Sequence, residues 1–353
     1  MKKKRILVGL SGGVDSSVAA LRLLHQGYDV IGAFIRVWHP PFITCSEAED
    51  RIDAMRVAAH LRIPFITIDA RREYERDVAQ VMIDEYKQGR TPNPDILCNR
   101  VVKFGAFEEA RRAHGADFIA TGHYARVVQN NSGIYELHAA VDLSKDQSYF
   151  LAGIPRSVLP HVLFPLGESA KSDIRREAAR AGLPSAARRD SQGICFLGKL
   201  DMRDFLKHYI HEHEGNVLDV YGNVIGMHMG AHFYTFGERH GFTITNSEHR
   251  HVPHYVVAKD VTNNTLTVSN TPPEALRGAN FMLKKWNQFV DIGTPDTTFD
   301  AVFRYHGKRI PATIALMGEE GVLTVQDTSM LPAPGQTAVI YQGTQVVGSG
   351  IIM

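Results

Sequence analysis

Residues 9–16 read Gly-Leu-Ser-Gly-Gly-Val-Asp-Ser and stand between two segments of different periodicity. Before them, Arg5-Ile6-Leu7-Val8 is a short apolar run of the kind a buried strand requires. After them, Ser16 to Leu24 carries apolar residues at helical spacing. A glycine-rich turn between a strand and a helix N-terminus offers unpaired backbone N–H groups and the positive end of the helix dipole, both of which favour an anion. Gly12 and Gly13 remove the Cβ atoms that would hold a phosphate off, and Ser11 and Ser16 add hydroxyl donors. Asp15 is a carboxylate that can hold the Mg²⁺ accompanying a nucleotide. An ordinary βα turn also favours glycine and serine, but it does not call for six specified residues at one junction. Two commoner nucleotide loops are excluded: one needs a lysine where Asp15 stands, and the other needs Gly-x-Gly-x-x-Gly.

The alternation continues. Apolar runs at Val30–Val37, Phe65–Asp69 and Phe118–Thr121 are interleaved with amphipathic stretches at Glu47–Leu61 and Val101–His114. This predicts a doubly wound α/β domain with a parallel sheet, whose ligands bind beyond the C-terminal ends of the strands. Ala170–Gly182 reads as another helix. From Gly215 onward the runs are short, alternating and separated by Gly, Asn and Pro, the pattern of a small central β domain and a C-terminal β-barrel-like domain. The expected division is 1–203, 204–275 and 276–353.

A chain of 353 residues is long enough for two or three cores. With 44% hydrophobic and 22% charged residues it has a soluble globular composition, and no apolar stretch is long enough to span a bilayer. Met1-Lys2-Lys3-Lys4-Arg5 leads into a run broken by Ser11-Gly12-Gly13, so it reads as a first strand and not as a secretion signal; a cytoplasmic protein without membrane partners is expected. The net charge of +1 argues that any nucleic-acid contact comes from local patches. His249, His251 and His254 lack the company of a zinc site and read as a surface loop, so no metal site is expected in the protein itself. The three cysteines, Cys45, Cys98 and Cys195, form no Cys-x-x-Cys pair.

Two of these cysteines lie in unusual surroundings. Thr91-Pro92-Asn93-Pro94-Asp95-Ile96-Leu97-Cys98 is a stiff proline loop running into a helix start, with Asp95 three residues before Cys98 so that both face one way. A cysteine at a helix N-terminus has its thiolate stabilised. Cys195 follows Arg188-Arg189 in Asp190-Ser191-Gln192-Gly193-Ile194-Cys195-Phe196-Leu197-Gly198, where an arginine pair could do the same. Cys45, in Thr44-Cys45-Ser46, has no such setting. Free cysteines are more often small buried hydrophobes, a reading that leaves the proline loop unexplained.

Ser-Gly-Gly-x-Asp-Ser resembles the PP-loop of ATP pyrophosphatases. That motif, Thr-Pro-Asn-Pro-Asp-x-x-Cys-Asn, Ala-Thr-Gly-His-Tyr-Ala at 120–125, Lys145 to Phe150, His161 to Gly167, the Cys195 segment and Tyr234-Thr235-x-Gly237 occur in order. Together they resemble the tRNA-specific 2-thiouridylase family. The resemblance implies ATP-dependent thiolation of the wobble uridine of tRNA, by adenylation of uracil O2 and sulfur transfer from a cysteine persulfide. It implies Cys98 as nucleophile, Cys195 as persulfide carrier, Asp95 as acid/base group, and Asn93, Pro94 and Asp95 at the target base. It implies ATP contacts from Gly9, Leu10, Ser11, Gly12, Gly13, Val14, Asp15, Ser16, Ile35 and Gly122, with Mg²⁺ bound alongside. Contacts to tRNA fall to His123, Lys145, Asp146, Gln147, Arg304, Tyr305 and Gln336. A persulfide sulfur-donor protein and a reductant for a Cys98–Cys195 disulfide complete the partners. Ile35 stands where the family commonly has methionine, and Glu238 and His240 where it has Gln and Lys. Two alternatives stay open: a PP-loop ligase or amidotransferase that adenylates a carboxylate and needs no cysteine pair, and a non-catalytic RNA-binding protein with a vestigial nucleotide site.

Overall fold

The computed structural model describes residues 3–43, 46–188, 195, 201–246, 252–271, 276–293, 297–328 and 332–353. Cys45, Arg189, His249, His251 and the neighbours of Cys195 at 190–194 and 196–198 lie outside them. The first layer is a five-stranded parallel sheet. Its strands are β1 (Arg5–Gly9), β2 (Asp29–Arg36), β3 (Phe65–Asp69), β4 (Phe118–Ala120) and, after a hairpin of β5 (Ala125–Gln129) and β6 (Tyr135–Ala139), β7 (Val162–Leu163). The order β3-β2-β1-β4-β7 means that the chain first builds outward from β1 on one side and then crosses to the other. The switch point lies between β1 and β4, where open α/β sheets bind their ligands. Ile6, Leu7 and Val8 of β1 are fully buried because helices cover both faces, which is why the strand reads as a continuous apolar run.

The central sheet comprises β8 (Gly215–Leu218), β9 (Val224–His228), β10 (Thr243–Ile244), β11 (Tyr255–Asp260) and β12 (Thr265–Ser269), in the order β10-β9-β8-β12-β11. Its core is built on Phe205, Val217, Ile225, Tyr234 and Leu266. The C-terminal strands are β13 (Leu276–Gln288), β14 (Phe299–Val302), β15 (Ile310–Met317), β16 (Glu320–Thr328), β17 (Thr337–Gln342) and β18 (Gln345–Ile352). They run β13-β16-β15-β14-β17-β18, and β13 also pairs with β18, which closes six antiparallel strands into a barrel with no free edge among them.

Three features depart from the sequence reading. The β5–β6 hairpin leaves the parallel sheet and joins the barrel through the pairing of His138 with Gln345. The stretch expected as one helix over Val101–His114 divides: Asn99–Ala106 winds as a π-helix and Phe107–Ala113 as an α-helix. His254, expected on a surface loop, is 5% exposed, with its Nδ1 against the Val252 carbonyl at 2.9 Å. No helix among the described residues is long and apolar enough to cross a membrane.

Gly167 ends the His161–Gly167 segment where it passes β5. A Cβ built there would lie 1.9 Å from the Ala125 carbonyl oxygen, which is backbone and cannot rotate away. Gly167→Ala is therefore expected to destabilise the protein by about 1–3 kcal/mol through overpacking, read as a lower urea midpoint; an unchanged midpoint contradicts the packing described.

Candidate active site

The loop after β1 is fixed before any ligand arrives. The Leu10 N–H donates to the Ala33 carbonyl at 2.8 Å, and Ser16 Oγ, bonded to the Gly13 carbonyl at 3.1 Å, accepts from the Ser11 N–H at 3.2 Å. Gly12 has φ +75°, a conformation other residues adopt only at a cost, and a Cβ there would meet the Arg188 guanidinium and Asp53. Gly13 is the N-cap of the helix Val14–His25 and supplies no side-chain cap, so the helix start depends on another acceptor, as an anion would provide. Ile35 sits near the end of β2 with its side chain in the core. Asp15 is engaged: both carboxylate oxygens accept from the Lys171 ammonium at 2.7 Å, and the Tyr124 hydroxyl donates to it at 2.8 Å.

Gly122, after β4, packs against this helix start. A Cβ on it would lie 2.7 Å from the Asp15 carbonyl carbon and the Ser16 nitrogen. The next residue faces the other way. His123 is 8% exposed, its Nδ1 is 2.7 Å from the Thr121 hydroxyl, and its Nε2 is 3.3 Å from the Lys103 ammonium. Phe164 meets its ring edge-on at 6.0 Å. His123 thus lies largely inside the fold, with both ring nitrogens against neighbouring side chains. Burial, with Lys103 alongside, pushes its pKa well down and keeps it neutral.

Lys103 opens onto the sulfur atoms. Asn93, held extended before Pro94, caps the helix Pro94–Cys98 by accepting from the Asp95 and Ile96 N–H groups, both at 3.1 Å. Pro94 occupies the first turn, where a missing N–H costs nothing. Asp95 and Cys98 then present to one partner. Asp95 Oδ1 accepts from the Cys195 N–H at 2.7 Å, and the Cys98 thiol donates to Cys195 Sγ across 3.5 Å. The Tyr74 hydroxyl holds the Cys195 carbonyl at 3.1 Å, so the cysteine's backbone is fixed at both ends. Both thiols are free.

The electrostatics correct two expectations. Cys98 is the last residue of its short helix and not at an N-terminus; it is fully buried, and desolvation with the neighbouring Cys195 raises its pKa well above the ordinary value. Arg188 does not serve Cys195, because it forms ion pairs with Asp50 and Asp53. The Cys195 pKa is lowered by the Cys98 hydrogen bond and by Lys103. Burial raises that of Asp95, against the Cys195 N–H and Lys103. Neither Lys103 nor Tyr74 stood out in the sequence. Lys103 lies five residues beyond Cys98, which an α-helix would turn about 140° away. The intervening π-helix bonds i to i+5 and returns it to the same side.

A cleft of about 100 Å³ lies beside the Asn93 cap, lined by Thr91, Pro92, Asn93, Tyr149, Phe303, Arg304, Tyr305, Gln336 and Thr337. It unites four residues expected at the base or the tRNA: Asn93, Arg304, Tyr305 and Gln336. Arg304 Nε is buried there without a hydrogen-bond partner. The Thr91 N–H donates to the Pro334 carbonyl at 2.7 Å, and the Thr91 hydroxyl lies 3.2 Å from that of Thr235, so the loop touches both later parts of the chain. Asp146 and Gln147 also make hydrogen bonds within the fold. Asp146 accepts from the Ala140 N–H and the Ser148 hydroxyl, and Gln147 accepts from the Tyr124 N–H. The Lys145 N–H bonds the Asp142 carbonyl.

Three family models match in succession: the tRNA methyl transferase HUP domain over residues 4–199, the tRNA methyl transferase PRC-barrel domain over 203–270, and the aminomethyltransferase beta-barrel domain over 279–352. The chain is 42% identical to the tRNA-specific 2-thiouridylase MnmA of Halorhodospira halophila, across 99% of this chain and 93% of that one. It is 41% identical to MnmA 2 of Geobacillus kaustophilus, across 99% and 94%, and 38% identical to MnmA of Enterococcus faecalis, across 99% and 95%. The chain belongs to the tRNA-specific 2-thiouridylase family. Among solved structures, a 4-thiouridine synthetase–RNA complex with bound ATP overlaps 56% of this chain and 46% of its own, at 19% identity and a TM-score of 0.34. As a 2-thiouridylase the chain is a tRNA sulfurtransferase.

The sulfur geometry yields a direct expectation. Closing 3.5 Å to a bonded S–S distance takes roughly 1.5 Å of movement, within reach of side-chain rotation. Mild oxidation with diamide should give a Cys98–Cys195 disulfide on peptide mapping, with Cys45 still alkylatable. A disulfide that instead involves Cys45 contradicts the arrangement.

Proposed function

We propose that this 2-thiouridylase activates O2 of the wobble uracil with ATP and replaces that oxygen with sulfur delivered by Cys195. The observation that carries the reading is Cys195 held by Asp95 and Tyr74 with its sulfur 3.5 Å from that of Cys98. Gly122 and His123 join this pair to the Ser11–Ser16 loop through adjacent residues. A ligase or amidotransferase that adenylates a carboxylate has no use for such a pair.

The chemistry follows from the bond to be changed. Oxide is a poor leaving group, so uracil O2 must be derivatised first. It attacks the α-phosphorus of ATP, pyrophosphate leaves, and the C2–O bond then belongs to an AMP leaving group. Asp15 is the carboxylate at the loop that would hold Mg²⁺ with the phosphate oxygens, by yielding one of its contacts with Lys171; the ion neutralises phosphate charge. A donor protein loads Cys195 as a persulfide. In one route its terminal sulfur attacks C2, AMP departs, and Cys98 then attacks Cys195 Sγ, freeing the thiouridine. In the other, Cys98 attacks the persulfide first, and the sulfide released attacks C2. Both end with one Cys98–Cys195 disulfide, which a reductant resets with two electrons and two protons. Asp95, with its raised pKa, is placed to exchange a proton at the base.

The three parts of the chain divide the work: residues 1–203 hold ATP and the cysteines, while 204–275 and 276–353 contact tRNA. The cleft with Asn93, Arg304, Tyr305 and Gln336 supports a role in receiving the base and its flanking nucleotides. Lys145, Asp146 and Gln147 contribute further tRNA contacts, and His123 reaches the sulfur site through Lys103.

Purified protein with tRNA and a persulfide source should release AMP and pyrophosphate and form 2-thiouridine. Asp15→Ala should abolish both products, and Cys98→Ser and Cys195→Ser should each stop thiolation. Release of ADP and phosphate, or substantial thiolation by either serine variant, overturns the reading. Arg304→Ala should weaken tRNA binding and lower its salt slope by roughly one unit, as loss of one phosphate contact requires. Unchanged affinity and slope remove the barrel from the tRNA interface.

A further inference from the structure

We propose that Lys103 is a working part of the sulfur site, holding negative charge on Cys195, and that His123 is the residue that aims it. The proposal rests on the reading of Cys195 as the sulfur carrier and adds a cation that the sequence motifs do not name.

Geometry carries it. The Lys103 ammonium lies beside the Cys195 sulfur on one side and 3.3 Å from His123 Nε2 on the other. An ammonium has only donors, so Nε2 must be the acceptor. The ring proton then sits on Nδ1 and is donated to the Thr121 hydroxyl at 2.7 Å. One tautomer of a neutral histidine therefore satisfies both contacts, and a charged one would lose the Lys103 contact and place two cations together. Burial keeps His123 neutral, as that arrangement needs. Phe104 and Phe164 pack about the imidazole, with ring centroids 6.1 and 6.0 Å away, and limit its rotation.

The charge balance identifies the recipient. Asp95, Cys98 and Cys195 face Lys103, from the helix Pro94–Cys98 and from the Cys195 segment. Tyr74 approaches the same sulfurs from the helix Arg71–Tyr74, and burial keeps its phenol protonated. Burial would lower the Lys103 pKa, but its acidic neighbours, Cys195 first among them, more than offset this and raise it, so the ammonium persists. Cys98 is the protonated donor of the sulfur pair. The negative charge therefore belongs on Cys195, or on the terminal sulfur of its persulfide. A thiolate or persulfide anion is the form that accepts and delivers sulfur.

The test reads the Cys195 thiol itself. Iodoacetamide alkylation of the full chain is followed across pH, and mass spectrometry of the Cys195 peptide gives its midpoint. In the unmodified sequence the midpoint should lie below the ordinary cysteine value of about 8.5. Lys103→Met should move it upward by about one unit or more, a roughly tenfold loss of thiolate near pH 7, while Lys103→Arg should largely restore it. His123→Leu should move it in the same direction by less. Lys103→Gln serves if the methionine variant does not fold, as judged by circular dichroism. An unchanged midpoint without the Lys103 charge overturns the proposal, and an unchanged midpoint in His123→Leu overturns the aiming role. The assay needs neither tRNA nor a sulfur donor. Failure of the underlying reading would appear separately, as thiolation by Cys195→Ser.

Discussion

The Cys195 backbone, gripped at its N–H by Asp95 and at its carbonyl by Tyr74, is the constraint on which the site depends. That grip brings Cys195 to Cys98, which lies 97 positions earlier in the chain. The grip is itself positioned by the proline loop. Asn93 is held extended by the proline after it, caps the helix, and so aims Asp95. Thr91 anchors the start of the loop to Pro334 and Thr235, which makes the cysteine geometry sensitive to the packing of all three parts of the chain.

The second dependence is the crossing point of the parallel sheet. Beyond β4, Gly122 presses on the helix start at Asp15 and Ser16, and His123 turns to Lys103. Two neighbouring residues thus tie a nucleotide-type loop to a sulfur pair. The two thiols are chemically unlike although they touch. Burial keeps Cys98 protonated, whereas Cys195 receives a hydrogen bond and a nearby ammonium. That asymmetry suits a pair in which one sulfur carries charge and the other waits to form a disulfide.

Much of this was legible in the sequence because it rests on local rules. Strand–helix alternation fixes the parallel sheet, and glycines, prolines and capping side chains mark the loops. Short alternating runs mark the barrel. The β5–β6 hairpin was not legible, since its partner β18 begins some two hundred residues later and nothing in either strand announces the pairing. The cation beside Cys195 was missed for a different reason. Arg188 and Arg189 are near in sequence, but Arg188 is taken by Asp50 and Asp53, and Lys103 arrives through a π-helical turn that no spacing pattern predicts. The motif around His123 gives no sign of its contact with Lys103, which packing across the fold creates.

The relay between Cys195 and Cys98 is tested most directly by following one labelled sulfur. Cys195 is loaded with a ³⁴S persulfide, excess donor is removed, and a single turnover is started with ATP and tRNA. Each label lost from Cys195 should appear in one 2-thiouridine, with one Cys98–Cys195 disulfide formed per thiouridine. Unlabelled thiouridine formed while the label remains on Cys195 would contradict the relay.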